Sequence, residues 1–187
     1  MRFAIFAMTM ALAAQEKVDM AAMMAKAKKF TEPSAAHKAL ERFVGTWTID
    51  QRFVMMGKEG KPEMGEQKCD WALKGRFIEC RLVGQMMGKP MESRMIIGYD
   101  NFKMAYRMVT INTIDTAMNT AEGALTRDGK ALVMYGTLDE YLTGEHDKMV
   151  KYAWRFDSPD AHRFEVHDLR IGEENSMVIL VRSTRKK

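Results

Sequence analysis

Long apolar runs are missing from most of this sequence. Beyond residue 13 no 18 consecutive residues are apolar, and a helix needs about 20 to cross a bilayer, so no transmembrane anchor is expected in the mature chain. Cysteine is scarce: Cys69 and Cys80 are the only two, and they do not have CxxC spacing. The four histidines, His37, His146, His162 and His167, form no HExxH or other metal spacing. No G-x-S-x-G, P-loop or Rossmann fingerprint occurs. Adjacent carboxylates such as Glu173-Glu174 sit in a turn and read as solvated. Nothing here argues for an enzyme, and no cofactor or metal is called for. No Lys/Arg run is interleaved with aromatics, so nucleic acid is not an expected partner. The formal charge of +4 owes much to Arg182, Arg185, Lys186 and Lys187 at the C-terminus.

What is present begins with a segment that reads as a secretory signal. Met1-Arg2 is a short basic start, and Phe3 to Leu12 has only Thr9 polar. Ala11-Leu12-Ala13 is a small-x-small cleavage site before the polar Gln15-Glu16-Lys17. The apolar run is too short to span a bilayer. A buried strand and a misplaced start site are the competing readings. Residues 1–13 are therefore expected to be removed, and the mature chain to be secreted or periplasmic. Residues 14–43 form a helical segment. Within 16–30, Met20, Met23, Met24, Ala27 and Phe30 fall on one face and Lys26, Lys28 and Lys29 off it. Such a stripe packs on its own protein, or serves a membrane or partner. Thr31 to Ser34 breaks the pattern, and a second short helix to about Arg42 presents Ala36, Leu40 and Phe43.

From Val44 the period becomes two. Trp47, Ile49, Gln51, Phe53 and Met55 alternate with Thr48, Asp50 and Arg52. Turn signals then recur at intervals of about ten to fourteen residues, from Gly57–Pro62 to Gly172–Asn175, which marks ten strands without helices between them. The expected fold is all-β: an antiparallel up-and-down barrel of about ten strands over residues 44–187, which leaves no open edge. Connections two, four, six and eight are tight, built on Lys74-Gly75, Asp100-Asn101, Asp128-Gly129 and Ser158-Pro159. The odd ones are mostly longer. Alternate turns of a meander share an end, so one end is closed and the other is a mouth.

Phe43-Val44-Gly45-Thr46-Trp47, reached through a short helix, resembles the G-x-W opening of the calycin barrels, the lipocalins and fatty-acid-binding proteins. His37..Leu40, Val44-Gly45-Thr46-Trp47, Gly75-Arg76-Phe77, Gly98-Tyr99-Asp100-Asn101, Glu122-Gly123 and Phe164-Glu165 together resemble the bacterial family catalogued as domain of unknown function 1579. That resemblance implies a calycin-like barrel, commonly exported, and brings no activity with it. Where the family's Trp-x-Asp and C-terminal Tyr-x-Arg elements are expected, this chain has Thr110-Ile111-Asn112 and Ser183-Thr184-Arg185.

Cys69 and Cys80 flank Lys74-Gly75 symmetrically and face each other across a two- or four-residue hairpin loop. Counting a two-residue loop makes them a hydrogen-bonded pair, the wider kind. A disulfide, two buried thiols and a metal site are the alternatives. Strand parity nominates Trp47, Phe53, Trp71, Ile78, Met104, Tyr106 and Met108 as barrel lining, which either meets a ligand or simply fills the core. Methionine is abundant, at 19 residues, and Met-Met-Gly-Lys occurs twice. Met55, Met56, Met86 and Met87, with His146, are expected at the mouth. They read as hydrophobic strand ends, as a pliable apolar portal or as a thioether site for Cu(I). Arg185, or failing that Arg182, is expected to cover Trp47 at the closed end. A haem-binding relative would need an inward His, His162 or His167, although a strand His more commonly faces solvent. The expected function is binding of a small apolar or amphipathic molecule inside the barrel. A metal- or haem-binding protein and an enzyme of unreadable mechanism are the alternatives.

Overall fold

The structure, a computed structural model, describes residues 19–169 and 176–187. The expected signal peptide, its cleavage site and the Glu173-Glu174 pair lie outside those residues. Helix α1 covers Met20–Thr31, its N-terminus capped by the Asp19 carboxylate, which accepts from the Ala22 N–H at 3.1 Å. Helix α2 covers Ala35–Lys38, and a 3₁₀ turn follows over Ala39–Phe43. Strands β1 (Gly45–Met55), β3 (Glu63–Ala72), β4 (Phe77–Met86), β5 (Lys89–Asp100), β6 (Ala105–Asn112), β7 (Asn119–Leu125), β8 (Ala131–Glu140), β9 (Glu145–Ser158), β10 (Ala161–Asp168) and β11 (Ser176–Arg185) are the staves of the barrel. The two-residue β2 (Lys58–Glu59) only prolongs the mouth end of β1.

Every stave pairs antiparallel with the next, and β11 returns to pair with β1 from Trp47↔Arg185 to Phe53↔Ile179. The ten-stranded closed barrel is thus the expected fold. The sheet turns corners at glycines. A Cβ at Gly123 would run into the Val133 carbonyl, and one at Gly136 into the Thr120 carbonyl, so only glycine permits the tight bend of β7 and β8.

The closed end is plugged by the segment that precedes β1. Leu40 and Phe43 enter the barrel and are buried with Ile78, Ile97, Tyr106, Leu132 and Trp154. Phe43 meets Trp154 and Phe156 edge-on at 5.9 and 5.5 Å. Two buried polar groups here find partners: Trp47 Nε1 donates to the Phe43 carbonyl at 2.9 Å, and the Tyr106 hydroxyl to the Ala36 carbonyl at 3.0 Å. The closed half of the barrel is therefore a filled aromatic core. No helix among the described residues is long and apolar enough to cross a membrane.

Candidate functional site

The inward face changes character towards the mouth. Alternation along β1 carries Trp47 and Ile49 inward and then Gln51, which is buried. Gln51 pairs across the sheet with Glu63. Glu63 Oε1 accepts from the Gly88 N–H at 2.7 Å, which ties the start of β3 to the β4–β5 turn. On β6 and β5, Thr110 and Ser93 lie 3.4 Å apart through their hydroxyls. Asn119 opens β7 and is buried. On the far wall Lys148 Nζ lies 3.0 Å from Asp168 Oδ2, with Glu145 at 3.6 Å and Glu140 at 3.8 Å. Burial works against the Lys148 charge, but Asp168, Glu145 and Glu140 outweigh it and hold its pKa above the ordinary value. Among the described residues Gln51 Nε2, Glu63 Oε2 and Asp168 Oδ1 are buried without a hydrogen-bond partner. A buried polar atom left so is costly unless water or a ligand meets it. The mouth half thus offers one free donor and two free acceptors above an aromatic floor.

The residues nominated from sequence fall on both sides of this division. Trp47, Ile78, Tyr106 and Met108 are inward and buried, packed into the core. Phe53 and Trp71 are half-buried, and Trp71 Nε1 donates to Glu41 at 2.6 Å at the closed end. Met104 is misplaced by parity. Strand β6 starts only at Ala105, and Met104 occupies the preceding turn with φ 53° and 76% exposure. It lines nothing inside the barrel.

Strand order puts Met55, Met56, Met86 and Met87 at the same end. Met56 stands free in solvent, Met86 is half-buried, and Met87 Sδ accepts from the Tyr141 hydroxyl of the β8–β9 turn at 3.2 Å. That contact crosses the mouth between turns that are not neighbours in the sheet. His146, also at this end, is exposed, and Asp147 at 3.0 Å raises its pKa. Among the described residues no three His, Cys, Asp or Glu side chains group as metal ligands.

Cys69 and Cys80 are joined by a disulfide with Cα atoms 4.0 Å apart. The hairpin loop runs over four residues, Leu73 to Arg76, so the bridge spans a narrow cross-strand pair and not the wider one that a two-residue loop implies. At the closed end the Arg185 guanidinium lies 4.2 Å from the Trp47 ring centroid and donates to the Val44 carbonyl at 2.6 Å. Arg182 takes no part, because its side chain pairs outside the barrel with Glu59 at 2.6 and 2.9 Å.

His162 corrects another expectation: it faces inward and is buried. The Trp47, Phe43 and Phe156 rings surround it at 4.5, 6.0 and 6.4 Å. Those rings occupy the space a porphyrin face would need. His167 points outward to Glu165 at 3.1 Å. Neither histidine is placed to ligate a haem inside the barrel.

Sequence reasoning missed Glu63, Asn119, Lys148 and Asp168 as interior residues, and read Gln51 as one more inward position. The available signal was polar residues at inward parity near strand ends.

A family model described as "Protein of unknown function (DUF1579)" matches residues 32–185. No curated protein sequence matches the chain. Among solved structures, Rv2717c from M. tuberculosis is similar with a TM-score of 0.60 at 12% identity, covering 83% of this chain and 100% of that one. The S-type phycobiliprotein lyase CPES from Guillardia theta is similar with a TM-score of 0.51 at 11% identity, covering 83% of this chain and 99% of that one. At such identities the likeness is one of fold.

Proposed function

We propose, on the premise that this chain belongs to the DUF1579 family, that it is an exported binding protein whose barrel takes a small amphipathic molecule through the mouth. The apolar part rests on the aromatic floor, and the polar end meets Gln51, Glu63 and the Lys148–Asp168 pair. The observation that carries this reading is the set of buried, unpartnered atoms Gln51 Nε2, Glu63 Oε2 and Asp168 Oδ1 on the mouth-end halves of their strands. The Cys69–Cys80 disulfide supports the exported compartment.

The charges narrow the ligand's chemistry. Glu63, Glu140 and Asp168 stand in the mouth half of the barrel, and Lys148 is already neutralised by its carboxylates. An anionic head would meet uncompensated repulsion there. The fitting polar end is neutral or cationic, able both to donate to a carboxylate and to accept from the Gln51 amide: a hydroxyl or an amide. Displacement of the neutral fluorescent probe N-phenyl-1-naphthylamine tests this. A long-chain alcohol or acylamide should displace it at least about tenfold more tightly than the carboxylate of the same length, a difference of about 1.4 kcal/mol. Glu63→Gln/Asp168→Asn should shrink that preference, because the repulsion that disfavours an anionic head comes from those carboxylates. Equal affinity for all three head groups, or no probe binding at all, would discard the proposal.

A further inference from the structure

The end of the barrel opposite the mouth carries an apolar and basic surface that neither the core nor the interior layer uses. Helix α1 has no buried residue. It is tied to the barrel at its C-terminal end. The Phe30 ring stacks on Phe102 at 4.5 Å, Asn101 donates to the Glu32 carbonyl at 2.9 Å, and Arg76 donates to the Thr31 carbonyl at 2.8 Å. At about 100° per residue, Met20, Met23, Met24, Ala27 and Phe30 share one face, and Lys26 and Lys28 border it on either side. The two turns that hold the helix extend this face with Leu73 and Phe102, both 71% exposed, and with Met104.

Two of these turn residues are held in an unfavourable backbone conformation. Leu73 has φ 48° and Met104 φ 53°, the left-handed region that bulky side chains seldom adopt. Neither side chain packs into the core, so folding gains nothing from presenting it there. Met56 and Met87 share the conformation at the mouth, but the two ends differ in charge. Around α1 stand Lys26, Lys28, Lys29, Lys74, Arg76 and Lys103, against Asp19, Glu32 and Asp100. Glu32 lies 3.7 Å from Lys28, and the Asp100 carboxylate accepts from the N–H groups of Phe102 and Lys103 in its own turn. The mouth instead carries Glu59, Asp115, Asp139, Glu140, Glu145 and Asp147 against Lys58, Lys61 and Lys89.

We propose that the closed end docks on a bilayer surface containing anionic phospholipid. Met20, Met23, Met24, Leu73, Phe102 and Met104 enter the boundary between head groups and acyl chains. The lysines that border them snorkel to the phosphates. Charge selects this occupant. A second copy of the chain, meeting this face with the same face, would bring like charges together. Docking this way turns the mouth towards the aqueous phase.

Flotation of the full chain with vesicles tests the idea. Vesicles of phosphatidylcholine with about a third phosphatidylglycerol should carry the protein at least tenfold better than phosphatidylcholine alone, and added salt should weaken the binding. Leu73→Asn/Met104→Asn removes two apolar anchors and places at both positions a residue that accepts the left-handed region. Its thermal unfolding should be unchanged or raised, and its flotation reduced at least tenfold. Lys26→Gln/Lys28→Gln should abolish the preference for anionic vesicles. No flotation of the wild type, flotation indifferent to lipid charge, or an Asn variant that floats as well as the wild type would each overturn the proposal. So would a concentration-dependent dimer that the Asn variant loses, which would assign this face to a second copy.

Discussion

His162 is walled by the rings of Trp47, Phe43 and Phe156, and its Nδ1 has no partner among the described residues. Burial, aided by the nearby Arg185 charge and opposed by Asp157, pushes its pKa down to about 4. A free histidine titrates near 6.5. The unfolded chain therefore binds a proton below pH 6.5 that the folded chain refuses until about pH 4. Stability from this group is complete above pH 6.5 and falls as the pH drops towards 4, by about 3 kcal/mol in all. Urea midpoints measured between pH 7 and 4.5 should show that loss, and His162→Leu should flatten it. An unchanged slope in the variant would mean that another group titrates in the window. The two C-terminal arginines make a contrast at the same scale. Arg185 is held over Trp47 by the Val44 carbonyl and is part of the closed end, whereas the Arg182–Glu59 pair is exposed and of the kind worth about 0–1 kcal/mol.

The β3–β4 hairpin and the N-terminal plug are the elements that hold the closed half together. The disulfide links positions 11 residues apart, so chain entropy assigns it about 2–3 kcal/mol. Cys69→Ala/Cys80→Ala should lower unfolding stability by that amount in denaturant titration, with the barrel's far-ultraviolet spectrum retained. A variant as stable as the wild type would show that the aromatic core alone fixes the hairpin. The plug works by burial. Phe43 is a large side chain enclosed by Trp154, Phe156 and His162, at a site where truncation to Ala typically costs about 3–5 kcal/mol. The α1 helix contributes no such burial, which is why its methionines remain available to something outside the chain.

At the scale of the whole molecule the barrel is polarised twice: aromatic below and polar above inside, basic below and acidic above outside. The first division underlies the proposed ligand and the second the proposed docking. Both suit the proposed export. N-terminal sequencing of material from the native host should therefore find Ala14 or Gln15 first, and an intact Met1 would rule cleavage out. The two-ended layout was legible from turn spacing, because in a meander parity alone decides which connections share an end. The interior was legible only where the alternation was clean. Trp47, Ile78, Tyr106 and Met108 point inward as counted, while Met104 fell out because the turn before β6 runs over four residues, Asn101 to Met104, where the count took Asp100-Asn101.

Local physics by itself determined the strand period, the ten staves, the facing of Cys69 and Cys80 and the arrival of Arg185 beside Trp47. These follow from alternation, turn chemistry and antiparallel order, all of which are properties of neighbouring residues. Only the tertiary structure decided that His162 is buried, that Gln51, Glu63 and Asp168 share one polar layer, and that Tyr141 reaches Met87 across the mouth. Those outcomes bring together strands far apart in sequence, and they depend on how barrel tilt and the glycine corners of β7 and β8 set one stave's height against another. Parity tells a residue which face it is on. Only closure of the sheet tells it what lies opposite.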